Sequence, residues 1–332
     1  MLESFRAFVV SKSDKGFKMG IEWLNLSDLP SGDVLIQVAY SVVNYKDALV
    51  CNPDGKVART YPLVPGMELT GRVVESTDTR FKSGDEVVAR SFGNIAIGIS
   101  RHGGYSEYAR VPGDCIFPLP QKFGFKKALV ISAGLPVALA LRQLEKNGLT
   151  PRMGPVLVTG ATGGIGSLAV SLLSRRGYTV VASTGKHAEY DYLKQLGASE
   201  VLSREEVSVA SNRSLDPERW AGSVDTVGGA TLAYLMCTSK KGGAIAVIGL
   251  AGGSAFHSTV LPLILRGINV LGIDMPSCPM EIAQQLWKQL TSDHELLRIV
   301  DPVGYEVTLE DVPKVTAAML KGEMKGRTLV RL

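Results

Sequence analysis

The sequence predicts an α/β fold in which a doubly wound parallel sheet is joined to a β-rich domain. Three observations carry the prediction. Beyond about residue 124, apolar strands alternate with helical stretches. Between one such strand and one such helix lies a glycine-rich loop, Thr159-Gly160-Ala161-Thr162-Gly163-Gly164-Ile165-Gly166. Before residue 123 the chain reads instead as short apolar runs divided by turn signals.

The β-rich part comes first. Residues 34–40 and 71–75 are apolar runs of strand length. Leu29-Pro30-Ser31-Gly32-Asp33, Lys82-Ser83-Gly84-Asp85 and Val111-Pro112-Gly113-Asp114 mark turns. Short strands at regular spacing indicate a barrel-like or sandwich-like domain. Helical spacing then appears over 126–146, interrupted by Gly134 and Pro136. Pro136 suits the first position of a second helix, where its missing N–H costs no bond.

The alternating part follows. The pattern predicts a buried strand over 156–159, a helix over 167–176 and a strand over 179–183. A helix over 189–196 is closed by Gly197. Further strands are expected at 201–202, 223–227 and 244–249. Strands that are apolar along their length and lie between helices belong to a parallel sheet covered on both faces. A helix over 282–291, a strand at 305–307, a helix over 312–320 and a final strand at 328–332 are expected to return to the first domain. The expected division is 1–123 with 279–332 for the β-rich domain, and 124–278 for the nucleotide domain.

Composition bounds the function. The chain has 332 residues, which suits one very large domain or two ordinary ones. With 45% hydrophobic and 20% charged residues it can fill packed cores. By eye no apolar stretch reaches the roughly 18 residues that span a bilayer. Met1-Leu2-Glu3-Ser4-Phe5-Arg6 lacks the basic stretch and apolar core of a secretory signal. A soluble cytoplasmic protein is the expectation, with no membrane partner. The net charge is +4 and the cations are dispersed, so no nucleic-acid partner is expected. Cys51, Cys115, Cys237 and Cys278 are far apart and form no C-x-x-C pair. They read as reduced thiols, not as a metal or disulfide framework.

The glycine-rich loop is the strongest functional signal. A strand, a glycine turn and a helix N-terminus together present backbone N–H groups and a favourable dipole to a pyrophosphate. Gly163 and Gly166 have the spacing of the last two glycines of the G-x-G-x-x-G fingerprint, with Ala161 at its first position. Thr162, Gly163, Gly164 and Ile165 are the expected phosphate contacts. The next strand bears on the choice of dinucleotide. It ends Ala182-Ser183-Thr184-Gly185-Lys186-His187, with no acid before Glu189 to accept a ribose 2′-hydroxyl. Thr184, Gly185, Lys186 and, one strand later, Arg204 suit a 2′-phosphate. NADPH is therefore the expected cofactor.

Further motifs carry a family resemblance. Asn44-Tyr45-Lys46-Asp47-Ala48-Leu49, Asp225-Thr226-Val227-Gly228, Gly249-Leu250-Ala251-Gly252-Gly253, Leu265-Arg266-Gly267, Leu271-Gly272-Ile273-Asp274 and Gly326-Arg327-Thr328-Leu329-Val330 are spread over the chain. With the fold pattern they resemble the medium-chain dehydrogenase/reductase superfamily. Within it they resemble the zinc-free, quinone-oxidoreductase-like branch, in its acrylyl-CoA reductase (YhdH/YhfP-type) family. The resemblance implies a Rossmann domain with a GroES-like catalytic domain and an active site in the cleft. It also implies cofactor contacts from Tyr45, Leu250, Ile273 and Arg327, and a homodimer built on edge strands, looked for at 243–253 and 261–273.

Zinc-dependent relatives carry Gly-His-Glu where this chain has Gly66-Met67-Glu68, and their first cysteine ligand is absent near Asn44-Tyr45. No metal is expected. Two departures concern the branch itself. Glu68 stands where Asp is usual. Ile131-Ser132-Ala133-Gly134-Leu135-Pro136-Val137 replaces Gly-Thr-Ala-Gly-Phe-Thr-Ala, keeping one hydroxyl and losing another.

The activity implied is metal-free reduction of an activated C=C, with hydride going from NADPH to the β-carbon of acryloyl-CoA or another enoyl-CoA. Tyr45 is the candidate catalytic residue; the alternative is a core tyrosine. Asn44 and Asp47 are read as holding the local backbone. Two rivals stay open: an NADPH quinone or enone oxidoreductase, and an NADPH-binding sensor or structural protein without turnover.

Overall fold

The computed structural model describes residues 4–14, 16–209, 213–299 and 304–332. Met1-Leu2-Glu3, read above for a leader, lie outside them. The chain forms two units, Met1–Ser132 with Pro276–Thr291 and Val300–Leu332, and Ala133–Met275 with Ser292–Ile299.

The elements run in this order. First come β1 (Phe5–Ser13), β2 (Gly16–Leu24), β3 (Val34–Val43), α1 (Tyr45–Val50), β4 (Glu68–Ser76), β5 (Glu86–Arg90), β6 (Tyr108–Val111), β7 (Ile116–Pro118) and α2 (Phe125–Ser132). Next are α3 (Gly134–Lys146), β8 (Val156–Val158), α4 (Gly164–Arg175), β9 (Val180–Thr184), α5 (Tyr190–Gln195), β10 (Glu200–Ser203), β11 (Trp220–Asp225), α6 (Gly229–Thr238), β12 (Ser239–Val247), α7 (Leu261–Arg266) and β13 (Asn269–Gly272). The chain ends with α8 (Met280–Ser292), α9 (His294–Ile299), β14 (Gly304–Val307), α10 (Val312–Leu320) and β15 (Arg327–Arg331).

In the first unit, β1 and β2 pair as an antiparallel hairpin. The main sheet has the order β14-β15-β3-β4-β5-β7, with β6 also on β3. β15 lies antiparallel on β3, so the end of the chain does return to the β-rich domain. Phe5, Phe8, Leu63 and Tyr105 are at most 1% exposed and anchor its core. The second unit is a parallel sheet ordered β10-β9-β8-β11-β12-β13. Leu157, Leu235 and Ile245 are wholly buried within it. Strands β8, β9 and β11 are buried along their length, as strands covered by helices on both faces are.

Several elements differ from expectation. The apolar run over 261–273 is not one strand. Pro262 opens the helix α7 and Gly267, in the left-handed region at φ 59°, ends it, leaving only β13 extended. The helix α3 starts at Gly134, two residues before Pro136. Pro136 still falls in the first turn, where its N–H would have no helical partner. The helix α2 groups with the first unit and Ser292–Ile299 with the second. The stretch Phe125–Lys146 is long and apolar enough to cross a membrane, contrary to expectation, but 83% of its most apolar 18-residue window is buried. It is core, broken at Ala133 between α2 and α3.

One apolar surface stands out on the second unit. Val260, Ile264 and Leu265 are 60%, 69% and 58% exposed around α7, and Val270 is 39% exposed on the edge strand β13.

Candidate functional site

The loop between β8 and α4 is shaped by its glycines. Gly160 sits at φ 58°, open to glycine at no steric cost. A Cβ on Gly166 would lie 2.3 Å from the Gly160 carbonyl oxygen and 2.7 Å from Ala161 Cα. The first turn of α4 therefore packs on the loop with no room for a side chain. Gly163 is the residue that precedes α4, which places Gly164 and Ile165 in its first turn. Ala161 is wholly buried, and its N–H donates to the Ser183 carbonyl at 2.9 Å. Its methyl fits where the fingerprint has glycine.

The end of β9 comes to the same place. Thr184 Oγ1 lies 3.1 Å from Thr162 Oγ1 and accepts the Lys186 N–H at 3.1 Å. Lys186 Nζ donates to Thr162 Oγ1 at 3.5 Å. The Arg204 guanidinium covers Gly185; a Cβ there would fall 2.8 Å from Nη2 and 2.9 Å from Cζ. Burial, and then the neighbouring Arg204, hold the Lys186 ammonium below its ordinary pKa, against Glu189. Two hydroxyls and two cations thus lie together at the end of β9. Among the remaining candidates, Leu250 is 48% exposed beyond β12, and the Ile273 N–H donates to the Val247 carbonyl at 3.0 Å just past β13.

The first unit holds a buried polar cluster around α1. Asp47 Oδ2 accepts the Asn44 N–H at 2.9 Å, closing the N-terminus of α1. Its Oδ1 accepts the N–H groups of Gly66 at 3.1 Å and Met67 at 3.0 Å. Asp47 therefore ties α1 to the segment that precedes β4, as its reading as a backbone holder requires. Burial pushes its carboxyl up to about 7, against the three N–H bonds that favour the ionised form. Tyr45 is the first residue of α1 and is half-buried; its hydroxyl has no hydrogen-bond partner among the described residues.

Arg327 is 4% exposed. Its Nη1 donates to Asn44 Oδ1 at 2.8 Å and its Nη2 to the Leu129 carbonyl at 3.1 Å, with Glu68 Oε2 at 3.5 Å. Both terminal nitrogens are engaged inside the first unit, so Arg327 supports Asn44 there. Ser132 Oγ donates to Glu68 Oε2, and Arg90 Nη1 donates to the Ser132 carbonyl at 3.0 Å. Burial opposes ionisation of Glu68, but Arg90 and Arg327 hold its carboxyl below the usual range. The two departures from the branch pattern thus turn out to be partners: the longer Glu68 reaches the hydroxyl that Ser132 keeps. No sequence signal joined residues 64 positions apart.

The donor set does not fit a catalytic metal. Met67 offers a thioether, and Glu68 is committed to Ser132 and Arg327. Among the described residues no three His, Cys, Asp or Glu side chains come together as ligands.

Residues 30–121 match the family described as alcohol dehydrogenase GroES-like domain, and residues 164–292 the family described as zinc-binding dehydrogenase. The chain is 47% identical over 329 residues to the putative quinone oxidoreductase YhfP of Bacillus subtilis, covering 99% of both chains. It is 42% identical to the acrylyl-CoA reductase AcuI of Ruegeria pomeroyi, over 98% of both. The YhdH oxidoreductase of Salmonella enterica, solved in complex with NADP, superimposes at a TM-score of 0.91 with 38% identity, over 98% of this chain and 99% of that one. The Bacillus YhfP, solved with NAD bound, superimposes at 0.90 with 46% identity over 99% of both.

Asp47 makes folding pH-dependent. A carboxyl whose pKa is about 7 when folded, against 3.8 as its ordinary value, gives stability that is present at low pH and is lost as pH rises toward 7. Asp47→Asn removes this titration. Urea unfolding between pH 5 and 8 is expected to show the wild type losing on the order of a few kcal/mol more than the variant over that range; parallel curves would refute the assignment.

Proposed function

We propose, since the chain belongs to the medium-chain dehydrogenase/reductase superfamily and within it to the YhdH/YhfP-type oxidoreductases, that it uses NADPH to reduce an activated C=C bond and converts acryloyl-CoA to propanoyl-CoA. The observation that carries the cofactor is the gathering of Thr162, Thr184, Lys186 and Arg204 at the end of β9. Positive charge and hydroxyls suit a 2′-phosphate, and β9 ends without the acid that would accept a ribose 2′-hydroxyl. The NADP held by the Salmonella relative agrees with this. The name of the 42% identical relative supports the thioester substrate. A second reading, quinone reduction, is favoured by the name of the 47% identical relative.

The residues divide the work. Gly163, Gly164 and Ile165, at the N-terminus of α4, offer N–H groups and the helix dipole to the pyrophosphate. Lys186, Arg204 and Thr184 grip the 2′-phosphate, and Leu250 and Ile273 border the dinucleotide. NADPH supplies the hydride that goes to the β-carbon of the unsaturated thioester. Tyr45 donates a hydrogen bond to the carbonyl oxygen, on which enolate charge develops, and the α-carbon takes its proton from Tyr45 or from water. Asp47 and Arg327 hold α1, and with it Tyr45, in place. The protein acts in the cytoplasm as a homodimer joined at the β13 edges, where the exposed apolar residues of α7 and Val270 are covered.

Three measurements test this reading. The wild type is expected to bind NADPH more tightly than NADH. Lys186→Ala and Arg204→Ala should each weaken NADPH about 10- to 100-fold, the size of a lost charged hydrogen bond, and leave NADH unchanged; a wild-type preference for NADH would reject the 2′-phosphate site. Rates of NADPH oxidation with acryloyl-CoA, crotonoyl-CoA and a simple quinone decide the substrate. Turnover is expected with the thioesters, with kcat falling about tenfold or more in Tyr45→Phe while NADPH affinity holds. Turnover with the quinone alone favours the second reading, and binding without any turnover favours a sensor. Light scattering should find a dimer in the wild type and a monomer in Ile264→Asp; a wild-type monomer removes the proposed interface.

A further inference from the structure

The motif Asp225-Thr226-Val227-Gly228 has no role in the proposed reaction, yet its first residue is a fully buried carboxylate beside the phosphate loop. Its position is set by topology. From β8 the chain crosses to β9 on one side; from β11 it crosses to β12 on the other. The adjacent strands β8 and β11, paired at Val158 and Val224, are therefore where the strand order reverses. Ligands of open parallel sheets bind at the carboxyl ends of such a pair. Thr159 and Asp225 are the residues at those two ends.

They are joined directly. Thr159 Oγ1 donates to Asp225 Oδ1 at 2.6 Å. The same oxygen accepts the Val227 N–H at 3.0 Å, and Oδ2 accepts the Gly228 N–H at 3.0 Å. Thr159 Oγ1 in turn accepts the Thr226 N–H at 3.1 Å, and its carbonyl accepts the Thr226 hydroxyl at 2.8 Å. A Cβ on Gly160, the next residue, would lie 2.4 Å from Thr226 Oγ1. The third loop is attached too, since the Ile248 N–H donates to the Asp225 carbonyl at 2.8 Å. One residue thus links the loops that follow β8, β11 and β12, by its side chain to the first two and by its backbone carbonyl to the third.

We infer that Asp225 is a positioning residue for the dinucleotide: through Thr159 it fixes the base of the Gly160–Gly166 loop and so governs affinity for the pyrophosphate, not the chemical step. The inference rests on the NADPH reading given above. Its chemistry explains the carboxylate. A buried charge costs free energy unless it is fully bonded. A neutral side chain of the same size cannot accept from Thr159, Val227 and Gly228 on both of its polar atoms, because an amide offers one acceptor. Burial raises the Asp225 carboxyl while Thr159, Val227 and Gly228 pull it back, so its ionised form depends on these bonds.

The test is NADPH affinity, read by fluorescence, with steady-state kinetics on the same proteins. Asp225→Asn and Thr159→Val are each expected to raise the Kd about tenfold, with kcat at saturating NADPH within about twofold of wild type. Thr159→Ser, which keeps the hydroxyl, should return the Kd to near the wild-type value. The double variant Asp225→Asn/Thr159→Val should lose less affinity than the product of the two single losses, because both act on the shared Thr159–Asp225 bond. If Asp225→Asn does not fold, the contrast between Thr159→Val and Thr159→Ser decides. Unchanged Kd in the singles, a double variant whose loss is the product of the two, or a loss in kcat in place of Kd would overturn the inference. A wild type that binds neither NADPH nor NADH would overturn the cofactor reading and this inference with it.

Discussion

The reversal of strand order between β8 and β11 is the constraint on which the second unit depends. The crossovers that leave these strands diverge, so no connection covers the gap at their carboxyl ends. What lines that gap must come from loops, and loops rich in glycine have little conformational order of their own. The fold meets this with side-chain bonds. Thr159, Thr226 and Asp225 join the two loops at the gap, and the Ala161 N–H fastens the phosphate loop to Ser183 on the next strand. Only then does the N-terminus of α4 present its N–H groups as a fixed set, which is what anion binding there requires.

The first unit solves a different problem with similar means. It places α1, only six residues long, against α10, and a helix that short is not stable alone. Asp47 closes its first turn and holds the Gly66 and Met67 amides. Arg327 brings the last strand into the same cluster through Asn44. The cluster contains Arg90, Arg327, Glu68 and Asp47, so its charges balance only when both acids are ionised. Glu68 is held ionised by the two arginines, while Asp47 relies on backbone amides alone and titrates near neutrality.

Sequence reading found the elements whose pattern is local. Strand β8 and the apolar parts of β9 and β12 are legible as short apolar runs, and α10 as a helix over 312–320. The phosphate loop was legible because its glycines, strand and helix are contiguous. Thr184, Lys186 and Arg204 were legible because they follow strands at a known offset from that loop. What escaped depends on contacts between distant residues. The hairpin of β1 and β2 was not foreseen, since Gly20 and the mixed polar face of β2 blur its alternation. Arg327 was read only as an implied cofactor contact, and nothing nearby in sequence announces its bonds to Asn44 and Leu129. Asp225 could be seen as part of a motif, but its partner Thr159 lies 66 residues earlier.

The two units share one device. In each, a buried aspartate accepts backbone N–H groups from a turn and pins a second segment that carries function: Asp47 with Asn44, Gly66 and Met67, and Asp225 with Thr159, Val227 and Gly228. A hydroxyl or amide could supply one such acceptor with little desolvation penalty, but not three. A carboxylate can, and its bonds are stronger for being charged. The cost is that burial raises the pKa of both groups. Protonation leaves one acceptor oxygen where the ionised group offers two, so in each loop burial and hydrogen bonding pull the carboxyl in opposite directions. Asp225 has a hydroxyl donor, Thr159, in addition to its amides, whereas Asp47 has only amides and has Glu68 close by, which adds to its rise.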